Sequence, residues 1–573
     1  MNIERLHVFH GPNPWAGCPL VEFTLTAEGS KVSLADAKRI AALTQSLQAQ
    51  VGTPVGFAAT RQTDAGCVVA VEFVDAALGQ AACEIACRMA NAGASEPTRE
   101  ELEQLTKLEY QQRLPPSVRV VYEGAKRHGI PIVKLSPEYS GYFVLGQGSR
   151  QKRLRWSEPD AISGVARLAS TDKYLTNQLL ASIGIPVPKG RLISTAEEAW
   201  AAANEVGLPV AVKPYNCDLQ TGVSLDLHTQ ERVEAAFQAA VEHSSWVLVE
   251  HFAPGLEHRV LVTGEKISAV TRIDPPHVVG DGVSTIGQLV EKTNSDPRRG
   301  DDDRSSKPLS KIKLDDVALK VIASQDMTLD SVPPAGKTVL VRRDPPYFKN
   351  GGTLTDLTDV IHPETVAHVV AASRMMQIPV AGLDVVALDI SKPLGEQGGV
   401  IVEINANPGL WLHMAPWADD PRPIGDDIAQ WMFPDPETSR IPIIALIGDA
   451  SRSVERQFMS MLARSGCCVG VASPEEFAVG ERRWPACVAT ARERAYLLLR
   501  NPAVDVAVLH VTEEELAAHG FPTDRCQAAI LAKPVAESIR ETLRHVTNDV
   551  IEPQDPSRLE ALTLKLTSAR SRG

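Results

Sequence analysis

The sequence predicts a multidomain chain of mixed α/β and α+β class, and three observations predict it. At 573 residues it is longer than one hydrophobic core supports. Short apolar strands alternate with amphipathic helices along most of its length. Helix stop signals, chiefly Gly and Pro, punctuate that alternation at regular intervals.

In chain order, residues 1 to about 164 read as a mixed α/β domain. Val21 to Thr26 is a strand, Leu34 to Gln50 an amphipathic helix, and Cys67 to Phe73 another strand. A helix around Ala76 to Ala90 follows, then a Glu-rich helix over Arg99 to Arg113. P-P-S-V-R-V-V-Y-E-G-A-K-R-H-G-I-P-I-V-K-L gives a helix, a Gly-Pro break and a short strand. From Ala169, L-A-S-T-D-K-Y-L-T-N-Q-L-L-A-S-I-G-I-P-V-P-K is an amphipathic helix begun by Ser/Thr/Asp and ended at Gly-Ile-Pro. The strand L-P-V-A-V-K-P follows, and Lys213 at the end of so apolar a run implies a partner for its charge. Residues 380–408 read as two strands joined by a Gly-containing turn. From Arg440 a last α/β unit begins; A-V-D-V-A-V-L-H-V and Q-A-A-I-L-A-K-P read as strands of a small parallel sheet.

Composition narrows the function classes. Hydrophobic residues at 44% and charged residues at 23% describe a soluble globular protein. A formal net charge of −13 argues against nucleic acid as the main partner, despite a local patch at Arg150, Lys152, Arg153 and Arg155. The N-terminus lacks a signal-peptide core and no apolar run reaches membrane-spanning length. The nine cysteines form no C-x-x-C pair and read as reduced thiols of a cytoplasmic protein. Cys83 and Cys87 lie one helical turn apart, as on a buried helix face.

Within the 380–408 hairpin, Glu403 and Asn405 are two apart and point the same way along their strand. Asp384 on the neighbouring strand joins them if the register lets it share that face. Two carboxylates and an amide oxygen make a hard, oxygen-only site of the kind Mg²⁺ prefers; the alternative is a buried hairpin with solvated acids at its rim.

The pattern D-V-(x)n-E-x-N-x-x-P-G resembles the metal signature of the ATP-grasp ligases. That resemblance implies Mg²⁺ held by Asp384, Glu403 and Asn405 against nucleotide phosphates. It also implies that Lys173 and Lys213 reach the phosphates of ATP. W-V-L-V-E-H-F-A-P-G-L-E-H-R-V-L-V resembles the adenine-binding hinge, with Glu250 on its strand and Glu257 where the ribose-binding acid lies. G-P-N-P-W, G-A-K-R-H-G-I-P-I-V-K-L and V-L-G-Q-G-S-R-Q-K-R-L are similar to the N-terminal domain of cyanophycin synthetase, which builds a poly-aspartate backbone bearing arginine. H-V-V-G-D-G-V-S-T-I-G-Q-L-V-E-K-T-N-S-D-P-R-R-G continues the likeness. By the same resemblance Arg298, Arg299 and His413 are substrate contacts, and Arg342 or Arg343 neutralises the transferred phosphoryl group. The implied architecture is an N-terminal domain at 1–164, an ATP-grasp domain at 165–438 and a Mur-ligase-like unit at 439–573.

Three departures from the family pattern stand out. The loop after Lys213 reads Y-N-C-D-L-Q-T-G-V, keeping one glycine, Gly222, and adding Asp218 where phosphate is expected. Trp411 stands where an arginine is expected. The phosphate loop of the last unit is replaced by Gly448, Asp449, Ala450, Ser451, Arg452, Ser453 and Val454, without the compact lysine charge such a loop uses. That unit, of about 130 residues, reads as a shortened, inactive remnant kept for packing or assembly. Two functions compete. One is a ligase forming amides through an acyl phosphate, adding aspartate or joining β-aspartyl-arginine dipeptides onto a cyanophycin-like polymer. The other is a nucleotide-binding pseudo-synthetase serving a full-length cyanophycin synthetase as a structural or regulatory subunit. The resemblance also implies self-association, as dimer or tetramer.

Overall fold

The computed structural model describes the whole chain except residues 28–31, 65, 137, 216–221, 302–308, 344–346, 415–421, 449–465, 487, 553–557, 559–560 and 563–573. The described chain divides into two compact units. One comprises Met1–Leu114, Val144–Gln151 and Asp435–Gly573; the other comprises Pro115–Phe143 and Lys152–Pro434. Among the described residues no helix is long and apolar enough to cross a membrane.

The first unit contains two sheets. Its N-terminal sheet is antiparallel, in the order Asn2–Phe9, Leu20–Thr26, Gly66–Glu72, Ala58–Thr63. The helices Leu34–Gln50 and Ala76–Ala92 supply its core, in which Cys67, Cys83 and Cys87 are buried among Phe23, Ile40 and Leu78. The expected strands and helices are present with bounds shifted by a residue or two. Asn2–Phe9 and Ala58–Thr63 are additional strands; both lie at sheet edges and carry polar sequences that hide the strand signal.

The second sheet of this unit has seven strands: Arg482–Pro485, Glu476–Val479, Val469–Ala472, Val506–Val511, Ile443–Ile447, Ala528–Leu531 and Val550–Ile551, in that spatial order. The last five are mutually parallel, as the buried apolar sequences of Ile443–Ile447 and Val506–Val511 require, and two antiparallel strands extend one edge. Of the altered phosphate-loop heptad only Gly448 is described, with φ +82°; residues 449–454 lie outside the described residues.

Two sheets and a smaller lobe carry the main apolar clusters of the second unit. A four-stranded sheet, ordered Ser224–Leu227, Val210–Pro214, Val247–His251, Gly190–Ile193, is backed by the helices Ala196–Val206 and Gln230–Val241. A five-stranded sheet, ordered Thr353–Asp356, Lys266–Asp274, Leu256–Thr263, Val380–Ala387, Val400–Asn405, packs against helices that include Lys173–Ser182 and Pro363–Met376. A smaller lobe over 277–342 has its own core around Val278, Ile286, Ile322 and Val339.

The helix expected to begin at Ser/Thr/Asp is Lys173–Ser182, capped by Asp172, whose side chain accepts from Leu175 N at 2.8 Å. A separate helix, Gly164–Thr171, precedes it and ends at Asp172, where ψ is 95°. One turn differs from the sequence reading. Between Val380–Ala387 and Val400–Asn405 the chain makes a longer excursion with a short helix, Leu394–Gln397, closed by Gly398 at φ +69°. Elsewhere in this unit the helices Pro116–Arg127 and Ile424–Met432 cross at paired glycines. A Cβ on Gly124 would strike the Gly425 carbonyl, and one on Gly425 the Val120 carbonyl, so the backbones meet directly. Arg127 clamps the crossing with two bonds to Asp426, at 3.0 and 2.6 Å.

Candidate functional site

Strand pairing decides what the five-stranded sheet brings together. Thr271 lies opposite Arg259, Arg259 opposite Asp384, and Asp384 opposite Glu403. These four residues therefore form one row across four strands on one face. Gly382 pairs with Asn405, two residues further on, so Asn405 shares the face of Glu403. Gly382 is needed there because a Cβ would come within 2.8 Å of Pro408 Cβ, where the chain turns away from Asn405.

Asp384, Glu403 and Asn405 thus converge as their alternation predicts. The Arg259 Nε lies 2.5 Å from Asp384 Oδ1, and an Nη lies 3.5 Å from Glu257. With the Asn405 amide oriented to satisfy its neighbours, its oxygen accepts from Arg259 Nη1 at 3.0 Å and its nitrogen donates to Glu403 Oε1 at 3.2 Å. Burial pushes the Asp384 carboxyl well above the usual carboxylate range, against the pull of the Arg259 guanidinium. Its Oδ1 has no hydrogen-bond donor among the described residues despite the close ion pair, because the Nε–H is poorly aimed. A buried carboxylate oxygen left without a donor, beside a second carboxylate and an amide oxygen, is the chemistry of a hard-cation site. Among the described residues no set of three or more His, Cys, Asp and Glu is arranged to hold a metal, and the third ligand here is an amide.

Lys173 stands at the start of its helix and is buried, with Nζ 4.0 Å from Glu403 Oε1. Lys213 is buried on Val210–Pro214 and forms an ion pair with Glu250, 2% exposed, on the adjacent strand. Asn177 Nδ2 donates to the same carboxylate at 2.8 Å. Apolar packing from two strands, the Glu250 carboxylate and the Asn177 amide that bonds it thereby fix the lysine expected at the phosphates. Tyr215, two residues on, bonds its hydroxyl to the Asp172 carboxylate; that bond and burial raise its pKa to about 12. Gly222 adopts φ +69°, and a Cβ there would come within 2.7 Å of His243 and 3.0 Å of Pro214, so only glycine fits. The rest of that loop lies outside the described residues.

The substrate-side residues are placed less uniformly. His413 is 1% exposed, shares a 2.8 Å hydrogen bond between Nδ1 and Thr271 Oγ1, and leaves Nε2 without a partner among the described residues. Burial lowers its pKa to about 3, so it is neutral at ordinary pH. Trp411 packs edge-on against Phe348, ring centroids 5.0 Å apart, in an apolar cluster with Ile273, Leu354 and Leu412. Arg298 is tied to Asp296, and the buried Arg299 donates to the Ser310 and Gly351 carbonyls at 2.6 and 2.9 Å. Arg342 is buried and pairs with Asp315 at 2.7 Å, while Arg343 is exposed. Arg299 and Arg342 are thus already bonded to protein groups. Sequence reading missed Arg259; its place two residues after Glu257, in E-H-R, carried the only signal, and its meaning depends on which strand pairs with Leu256–Thr263.

A family model described as an ATP-grasp domain matches residues 166–261. The cyanophycin synthetase of Trichormus variabilis is 32% identical over 503 residues, covering 86% of this chain and 55% of that protein. That of a Synechocystis strain is 34% identical over 532 residues, covering 89% and 60%. The chain is a relative of the cyanophycin synthetases. A glutathione biosynthesis bifunctional protein of Clostridium perfringens is 29% identical over 324 residues, covering 55% of this chain and 41% of that one. This cyanophycin synthetase relative thus spans between half and two thirds of the length of the curated cyanophycin synthetases it matches, and its fold is mixed α/β around an ATP-grasp domain.

Proposed function

We propose that the protein is an ATP- and Mg²⁺-dependent carboxylate–amine ligase, acting like the aspartate-adding or β-Asp-Arg dipeptide-joining half of cyanophycin synthetase. The observation that carries this reading is the row Arg259, Asp384 and Glu403 with Asn405 beside it, flanked by the buried Lys173. Asp384, Glu403 and Asn405 would hold Mg²⁺, whose charge offsets that of the phosphates when bound. Lys173 and Lys213 face the phosphates and Glu257 accepts from the ribose hydroxyls. Of the paired arginines, Arg343 is the one with an exposed side chain and takes the transferred phosphoryl charge.

The reaction class follows from those groups. A substrate carboxylate oxygen bonds to the γ-phosphorus as the bond to ADP breaks, giving an acyl phosphate. The amine nitrogen then bonds to the acyl carbon, phosphate leaves, and one proton is released. No nucleophilic side chain is required. Acceptors are an amino acid or β-Asp-Arg dipeptide with a cyanophycin-like polymer as primer. The experiment is ADP release by the purified chain given primer with aspartate or with dipeptide; primer-dependent ADP release that Glu403→Gln abolishes is the expected result.

A second reading is supported by the altered heptad from Gly448 and by Asp218 in the loop after Lys213. In it the chain is a partner subunit of a full-length cyanophycin synthetase. Its signature is no ADP release alone, with changed polymer synthesis when the two proteins are mixed.

A further inference from the structure

Arg259 is the cation already seated among the proposed metal ligands. It contacts Asp384 at 2.5 Å, approaches Glu257 at 3.5 Å and donates to the Asn405 amide oxygen at 3.0 Å. We infer that the Arg259 guanidinium is a resident counter-cation that a divalent ion must displace from Asp384, so that metal enters the triplet readily only together with nucleotide phosphates. The inference rests on the ligase reading for the identity of the triplet and adds an order of loading to it.

The argument is electrostatic. Asp384, Glu403 and Glu257 gather three carboxylates around one face of the sheet, and two of them lie directly across from one another. Three such groups repel unless a positive charge sits among them, and Arg259 supplies it from the next strand of the same row. Mg²⁺ binds carboxylate oxygens at about 2.0–2.1 Å. An Nε 2.5 Å from Asp384 Oδ1 stands in that approach, and a divalent ion and a guanidinium sharing one oxygen would repel each other. The guanidinium must therefore turn away and give up its Asp384 partner, keeping only the longer approach to Glu257. A triphosphate changes this balance, because its oxygens accept a guanidinium fork in the bidentate geometry that arginine favours. Nucleotide and metal then stabilise one another through one side chain. The poor aim of the Nε–H toward Asp384 fits a contact held by charge more than by direction.

The test measures Mn²⁺ binding to the full chain by the electron-spin signal of the free ion, with and without ADP. Arg259→Gln is expected to tighten nucleotide-free Mn²⁺ binding about tenfold and to weaken binding in the presence of ADP. Arg259→Lys keeps the charge without the fork; it shifts both in the same directions by less, and it decides the matter if the Gln variant does not fold. Equal nucleotide-free affinity in wild type and the folded Arg259 variant overturns the inference. Asp384→Asn separates that from failure of the site itself. If it abolishes Mn²⁺ binding while Arg259 variants match wild type, only the order of loading is wrong. If Asp384→Asn binds Mn²⁺ as wild type does, the metal assignment fails and this inference falls with it.

Discussion

Lys213 and Glu250 face each other across two strands with almost no exposure, and their pairing sets both a stability and a binding expectation. Removing one member of a buried pair strands the other, at a cost of about 3–5 kcal/mol. Lys213→Met is therefore expected to lower unfolding free energy by about 3 kcal/mol in urea titrations. The double variant Lys213→Met/Glu250→Met recovers most of that loss, since an apolar pair of similar volume suits the site, while Mg·ATP binding by calorimetry stays lost. Loss of stability without loss of binding would detach Lys213 from the nucleotide. His413 gives a pH expectation. Its folded pKa, about 3, lies below the ordinary 6.5, so the unfolded chain binds the proton more readily. The stability tied to neutral His413 is present above pH 6.5 and falls as pH drops toward 3. Between pH 7 and 5 wild type should lose about 2 kcal/mol relative to His413→Gln, and parallel pH profiles of the two would refute it. Asp384, Glu403 and Asn405 were legible in the sequence because strands alternate with period two and the two strands are close in the chain. Arg259 and the Lys213–Glu250 pair were not, because each needs a strand partner that sequence spacing does not name.

Single helices were legible where a cap announces them, and the helix Lys173–Ser182 shows what a cap adds. Asp172 stops one helix, accepts from Leu175 N and receives the Tyr215 hydroxyl, so a single carboxylate ties the Lys173 helix to the strand end beyond Lys213. Asp172→Ala should cost about 1–2 kcal/mol from the lost cap, and more from the stranded Tyr215 hydroxyl. Asp172→Asn keeps a cap acceptor and should restore most of that stability, as chemical unfolding would show. If Asn restores nothing, the charge at Asp172 matters more than its cap. The sequence also announced the expected parallel strands Val506–Val511 and Ala528–Leu531, whose runs are apolar but for His510. Edge strands such as Ala58–Thr63 stayed hidden, because half their faces meet water and alternation is lost among polar residues.

At the scale of the molecule, the sequence could not reveal that residues 1–114 and 435–573 belong to one compact unit. Fragments of two motifs that resemble the family's N-terminal domain do the joining. In G-P-N-P-W, Pro12 accepts from Phe521 N at 2.7 Å while His10 N donates to His519 O at 3.1 Å. Asn13, wholly buried, folds that turn by donating to the Gly11 and Cys18 carbonyls and accepting from Trp15 and Ala16 N. In G-Q-G-S-R, Gln147 N and Ser149 N donate to Ser439 O and Val504 O, each at 2.8 Å, and Ser149 Oγ bonds Asp505 at 2.7 Å. The seven-stranded sheet is therefore part of the same compact unit as the N-terminal sheet. Gly11 is the place to test this, because a Cβ there would overlap the Phe521 carbonyl oxygen and backbone cannot yield cheaply. Gly11→Ala should destabilise by about 1–3 kcal/mol, the range for overpacking. The loss should appear together in probes placed in both sheets, such as hydrogen exchange of Val69 and Val508 amides. Loosening of the N-terminal sheet alone, with Val508 unchanged, would mean that the two sheets fold independently and that the contacts at Pro12 and Ser149 are incidental.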